Sequence, residues 1–216
     1  MRIARMLALA ASVSGAVTAM ASPLTLTFEG IGNAAIGSFY SSQGVSFSTN
    51  AYAATAATIA GTTQLNFSGE PSPNTVMYSS DTGNIYVNLA GGFTSSFSYY
   101  YSSQIRGLGA QVFSGQNGTG TQLSGLSGLG SNATGSSCSG AVFCNFTQET
   151  LNFAGTAQSV VFLNASASTG TVLFDNLSFG NVGGGSVNPV PEPGSLALVG
   201  LALAGIGLQR RRRSKA

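Results

Sequence analysis

The chain has 216 residues, 30 of them glycine, with no tryptophan, no histidine and only 6% charged side chains. Without imidazole, neither histidine-based catalysis nor a histidine-bearing metal centre can be built. Seven of the eight basic residues lie at the two ends, so the stretch from Ser22 to Val190 sets Arg106 alone against five carboxylates; that excludes the basic footprint nucleic acid requires.

The chain opens with "MRIARMLALAASVSGAVTAMASP", in which Arg2 and Arg5 precede an apolar run from Met6 to Val17 and the small residues Ala19 and Ala21 flank Met20. This order predicts a secretory signal peptide over residues 1–21, cut after Ala21, and hence the Sec translocon and signal peptidase as partners. From Ser22 onward the apolar pattern has period two. "LTLTF" puts Leu24, Leu26 and Phe28 on one face, "GVSFS" offers Val45 and Phe47, and "TQLNF" offers Leu65 and Phe67. "NIYVNL" aligns Ile85, Val87 and Leu89, and "FTSSFSYYYSS" sends Phe97, Tyr99 and Tyr101 inward, leaving Tyr100 exposed as a candidate ligand contact.

Residues 114–137 read as a long exposed connection because of their glycine content, with Gln122 and Leu123 extending a strand. Cys138 and Cys144, five residues apart in an exported chain, are expected to form a local structural disulfide, free thiols being the alternative. "SVVFLN" and "TVLFDNLSF" carry apolar residues on both faces, as central strands do. The pattern predicts an all-β domain over residues 22–179, a two-sheet, jelly-roll-like sandwich.

Residues 180–189 then form a Gly-rich linker. Beyond it stand Pro191, Glu192 and Pro193, an apolar run from Leu196 to Leu208, and the cluster Arg210, Arg211, Arg212 and Arg213. Thirteen helical residues reach about 20 Å, short of the roughly 30 Å hydrocarbon core, which makes a marginal transmembrane helix suited to transient anchoring in the inner membrane. The arginines would stop it on the cytoplasmic side, leaving the domain outside.

This three-part ending over residues 190–213 resembles the PEP-CTERM sorting signal of Gram-negative exported proteins. The resemblance implies an exosortase acting at Pro191–Glu192–Pro193, and delivery to the cell surface or an exopolysaccharide matrix. The segments "TFEGIG", "FSYYYSS", "FCNF" and "LFDNLSFG" also resemble a recurring β-domain of such proteins and, more widely, the jelly-roll carbohydrate-binding fold. In that fold an early "FE" and a late "DN" often hold calcium, which would make Glu29 and Asp175 the carboxylate ligands, with Asn176 or Asn33 adding oxygens. Read from the residues alone, Glu29 and Asp175 are a calcium site, a glycosidase pair, or unrelated surface charges. No catalytic residue is expected, so the sequence reads as a non-enzymatic envelope or matrix protein. The alternatives are a carbohydrate-binding module acting on exopolysaccharide, with Tyr100 as a contact, and a histidine-independent hydrolase.

Overall fold

The computed structural model describes residues 22–56, 66–104, 109–134, 141–163, 166–167 and 170–182. The expected signal peptide with Ala19 and Ala21, the transmembrane helix, Pro191–Pro193 and Arg210–Arg213 all lie outside the described residues, as do Arg106 and Cys138. Among the described residues no helix is long and apolar enough to cross a membrane.

The described residues form strands β1 (Pro23–Leu26), β2 (Ala34–Ala35), β3 (Val45–Phe47), β4 (Ala51–Thr55), β5 (Thr75–Ser79), β6 (Ile85–Ser103), β7 (Ala110–Phe113), β8 (Gln122–Leu126), β9 (Thr147–Phe162), β10 (Ser166–Ala167) and β11 (Gly170–Val182). Every strand pairing is antiparallel. Three strands are far longer than the usual five or six residues: β6 has 19, β9 has 16 and β11 has 13. Their mutual register breaks between Asn88 and Phe93, where Gly92 adopts φ 71°. A Cβ on Gly92 would stand 2.7 Å from Thr156 Cγ2, so only glycine fits this corner. The irregularity bends both strands from one layer into the other.

One layer therefore runs β2-β4-β5-β11 and on through residues 93–103 of β6 and 147–157 of β9, with β1 also on β11. The other runs β3, residues 85–89 of β6, residues 159–162 of β9, β7 and β8. The layers pack face to face through aromatic rings. Phe162 of the second layer meets Phe174, Tyr99 and Phe97 of the first at centroid distances of 4.3, 5.2 and 6.0 Å. Burial of each such ring contributes roughly 2–3 kcal/mol, so this β-sandwich rests on its aromatic interior.

A second, smaller cluster lies on the outside of the first layer. Val76 and Leu173 project outward from β5 and β11 and are covered by Phe67, Ala133 and Phe143.

Four sequence expectations need correction. The "NIYVNL" and "FTSSFSYYYSS" segments belong to one continuous strand, since Gly91 and Gly92 bend β6 without ending it. Residues 114–137 are not an exposed connection throughout: β8 crosses them, and Leu129 and Ala133 are buried. The strand before the linker also continues through Gly180 and Asn181 to Val182, because β1 and β6 pair with it there. In the "TQLNF" segment, Phe67 makes a single bridge to Phe143, and Leu65 lies outside the described residues.

Candidate functional site

The first and last strands lie side by side: β1 pairs with β11 from Pro23↔Asn181 to Leu26↔Leu177. Just beyond these paired residues, both chains leave regular geometry. Phe28 takes φ 64° and Asn176 takes φ 49°, and the β11–β6 register slips between Asp175 and Ser178. A bulky residue in the left-handed region is costly and survives only when its surroundings fix it. Here the Phe28 ring is buried in the core, and its N–H donates to Tyr40 Oη at 2.7 Å. Burial, the largest cause, pushes the Tyr40 hydroxyl up to about 12, with the negative charges of Asp175 and Glu29 adding to the rise. The two carboxylates foreseen from the sequence thus belong to one neighbourhood, set by two backbone irregularities that no periodicity reveals.

Asp175 is fully buried on the outer side of the first layer. Its Oδ2 accepts the Ser72 N–H at 2.9 Å, its Oδ1 accepts the Asn176 N–H at 2.7 Å, and Ser72 Oγ lies 2.7 and 2.8 Å from the two oxygens. Desolvation pushes its carboxyl up to about 6 against these donors, and the Glu29 charge contributes to the rise. Ser72 stands between Pro71 and Pro73, which lack N–H groups and restrict the chain, so its own N–H and hydroxyl are the donors this turn presents. Glu29 is half-buried, and Thr75 donates to it through N–H at 3.0 Å and Oγ1 at 3.3 Å. Each carboxylate is thus first a structural acceptor that ties the segment between residues 67 and 75 onto the sheet.

Calcium takes six to eight oxygens, so the residues can be tested for that fit. Asn176 Oδ1 is buried and has no hydrogen-bond partner. Glu29 keeps a lone pair on each oxygen, and Asp175 meets three donors with four acceptor positions. All are hard oxygen donors. Asn33 is committed elsewhere, its Oδ1 accepting the Thr55 N–H at 2.8 Å. Among the described residues no three of His, Cys, Asp and Glu cluster, so a cation here would take amide and carbonyl oxygens beside two carboxylates.

Cys144 is disulfide-bonded, and its backbone N–H donates to Ala133 O at 2.9 Å beside the outer cluster. Tyr99 and Tyr101 are buried as alternation requires, but Tyr100 is half-buried rather than exposed, because its cross-strand neighbour is the covered Asp175.

Several fixing residues carried no sequence signal. Asn132 Oδ1 accepts the Ser103 N–H at 2.7 Å, while its Nδ2 donates to Tyr101 O and Thr147 Oγ1 at 3.2 and 2.9 Å. Asn50 donates to Asp81 Oδ1 at 2.8 Å and to Ser79 Oγ at 3.2 Å; its bond holds the Asp81 carboxyl below the usual carboxylate range. Asn is so frequent in this chain that only the fold distinguishes these two.

Residues 189–213 match the family described as the PEP-CTERM protein-sorting motif. No curated protein matches the chain in sequence. Among solved structures, the K2 cleaved adhesin domain of Lys-gingipain is similar, at 16% identity over 73% of this chain and 99% of that one, with a TM-score of 0.49. The K1 cleaved adhesin domain of Lys-gingipain from Porphyromonas gingivalis W83 is 16% identical over 76% and 92%, with a TM-score of 0.40. A point mutant of CBM29-2, a family 29 carbohydrate-binding module, is 12% identical over 54% and 77%, with a TM-score of 0.33.

Proposed function

We propose that the chain is an exported, non-enzymatic envelope or extracellular-matrix protein that reaches its site through its C-terminal sorting signal, with an exosortase as its processing partner. The observation carrying this reading is the PEP-CTERM motif at residues 189–213. In this reading residues 1–21 are a signal peptide removed at Ala21, Leu196 to Leu208 form a transient inner-membrane anchor, and Arg210 to Arg213 hold that anchor's end in the cytoplasm. Pro191 and Pro193 keep Glu192 on an extended strip that an enzyme at the membrane surface can reach. The closing of the domain supports the same picture. Val182 N–H donates to Ser22 O at 3.4 Å, so the sorting tail departs beside the expected signal-peptidase cut.

The non-enzymatic reading is supported by the structural commitment of Asp175 to Ser72 and of Glu29 to Thr75. The domain is jelly-roll-like in this reading, Cys138 pairs with Cys144, and calcium is the cation that Glu29, Asp175 and Asn176 Oδ1 would hold. Bound there, it would neutralise two neighbouring carboxylates that have no base beside them among the described residues.

Neutralising Arg210 to Arg213 with glutamine, in the native host, tests the sorting reading. Loss of membrane retention or failure of tail processing is the expected result, and normal retention with normal processing would overturn it.

A further inference from the structure

The connection between β7 and β8 folds back onto the outer face of the second layer. Asn88, Ser159 and Phe113 oppose one another across β6, β9 and β7. Their chain neighbours Val87, Val160 and Val112 are buried in the core, so these three project outward. Gly118 rests on that face at φ 69°, where a Cβ would stand 2.9 Å from Val161 Cγ2. Its N–H donates to Ser159 Oγ at 3.0 Å, and Ser159 Oγ in turn donates to Gly115 O at 2.6 Å. Asn117, left-handed at φ 55° and ψ 36°, makes a reciprocal pair with Asn88. Its N–H donates to Asn88 Oδ1 at 2.7 Å, and its Oδ1 accepts Asn88 Nδ2 at 2.8 Å.

Asn117–Gly118 is the one Asn–Gly step in the chain. Asparagine is a thermolabile residue, and a following glycine has no side chain to keep its backbone nitrogen away from the asparagine amide. In an open chain that nitrogen attacks Asn117 Cγ. The Gly118 N–Cγ bond forms, the Cγ–Nδ2 bond breaks, and ammonia leaves with the Gly118 amide proton. Solvent water then opens the succinimide at either carbonyl, giving aspartate or the β-linked isoaspartate. The docked loop opposes both requirements of the first step. Ser159 Oγ holds the proton that Gly118 must give up, and the paired bonds to Asn88 turn the Asn117 amide away from its own chain. Asn117 itself is exposed, so access of water does not limit the reaction. The isoaspartate product lengthens the main chain by a methylene between residues 117 and 118, and the left-handed pair that seats Gly118 on Val161 can no longer form.

We propose that Asn117 is a self-modification site held latent by Asn88 and Ser159. Opening of the β7–β8 connection converts it, and the isoaspartate form cannot dock again, leaving Ser159 and Val161 uncovered on the second layer. This goes beyond the sorting reading and stands independently of it, since the tail takes no part.

Timed incubation of the purified mature protein at mildly alkaline pH, with peptide mapping that separates asparagine, aspartate and isoaspartate, tests it. Conversion at Asn117 should be at least about tenfold slower in the folded chain than in guanidinium, because it waits on local opening. Ser159→Ala frees the Gly118 N–H without adding bulk. It should speed conversion in the folded chain about fivefold and leave the rate in guanidinium unchanged. In the isoaspartate form, hydrogen-exchange protection of the Gly118 amide should be lost while that of β6 is kept. Melting curves report folding, and if Ser159→Ala does not fold, Asn88→Ala replaces it with the same direction expected. Equal rates in folded and unfolded chain, no conversion in guanidinium, an unchanged folded rate in the variant, or a Gly118 amide still protected after conversion would each overturn the proposal. None of these results bears on processing of the tail.

Discussion

The outer face of the first layer has two halves built to opposite rules. Where β5 and β11 adjoin, Val76 and Leu173 point outward, and a cover carrying Phe67, Ala133 and Phe143 buries them. Where β1, β11, β6 and β9 adjoin, the outward residues are Thr25, Ser178, Ser98 and Thr150, and they remain accessible. Both halves share β11 and lie over the same interior. The difference shows that one strand can hold a structural segment and an open surface in succession, the switch falling at the Asp175–Ser178 irregularity. Polar latches mark that border: Asp175 takes hold of Ser72, and Asn132 takes hold of Ser103.

The covered half should be the sensitive one. Leu173→Ala removes a fully buried side chain of the outer cluster and should cost about 2–5 kcal/mol by denaturant unfolding. A cost under about 1 kcal/mol would mean that the cover is not packed on the sheet. Ser72→Ala removes a hydroxyl donor from a buried carboxylate and should cost about 1–3 kcal/mol. It should also expose residues 66–74 to proteolysis before the rest of the domain, and uniform proteolysis would break the latch account.

Asp175 also gives the border a pH dependence with a definite sign. Its folded value, about 6, lies above the ordinary 3.8. The folded state therefore binds the extra proton between about pH 4 and 6, and this group's contribution to stability is full below that window and lost as pH rises through it. In calcium-free buffer the melting temperature should carry this falling component, and Asp175→Asn should remove it. With calcium bound, the carboxylate is held ionised and the protein should melt higher above pH 6, again only when Asp175 is present. Superimposable curves with calcium and with chelator would remove the cation from the account. In the open half the expected change is smallest: Ser98→Lys should alter stability by no more than about 0.5 kcal/mol.

Period-two patterning made the interior legible, because Leu26, Phe28, Phe97, Tyr99 and Tyr101 alternate with polar residues and do face inward. It failed at β4, where Ala51, Ala53 and Ala54 are buried but too small and too evenly spread to mark a face. It also failed over residues 114–137, since Leu129 and Ala133 stand in a glycine-rich stretch and are buried in the main core and in the outer cluster respectively. Glu29 and Asp175 could be paired from the sequence because each directly follows a strand's core residues. Their donors Ser72 and Thr75 could not, being 103 residues from Asp175 and 46 from Glu29 along the chain.

Processing of the tail as a sorting signal can be read from intact-mass and terminal-peptide mass spectrometry of the protein isolated from its own host. The expected mature chain begins at Ser22 and ends near Pro191 to Pro193, without Arg210 to Arg213. A mature protein that retains the full C-terminus through Ala216 would contradict it.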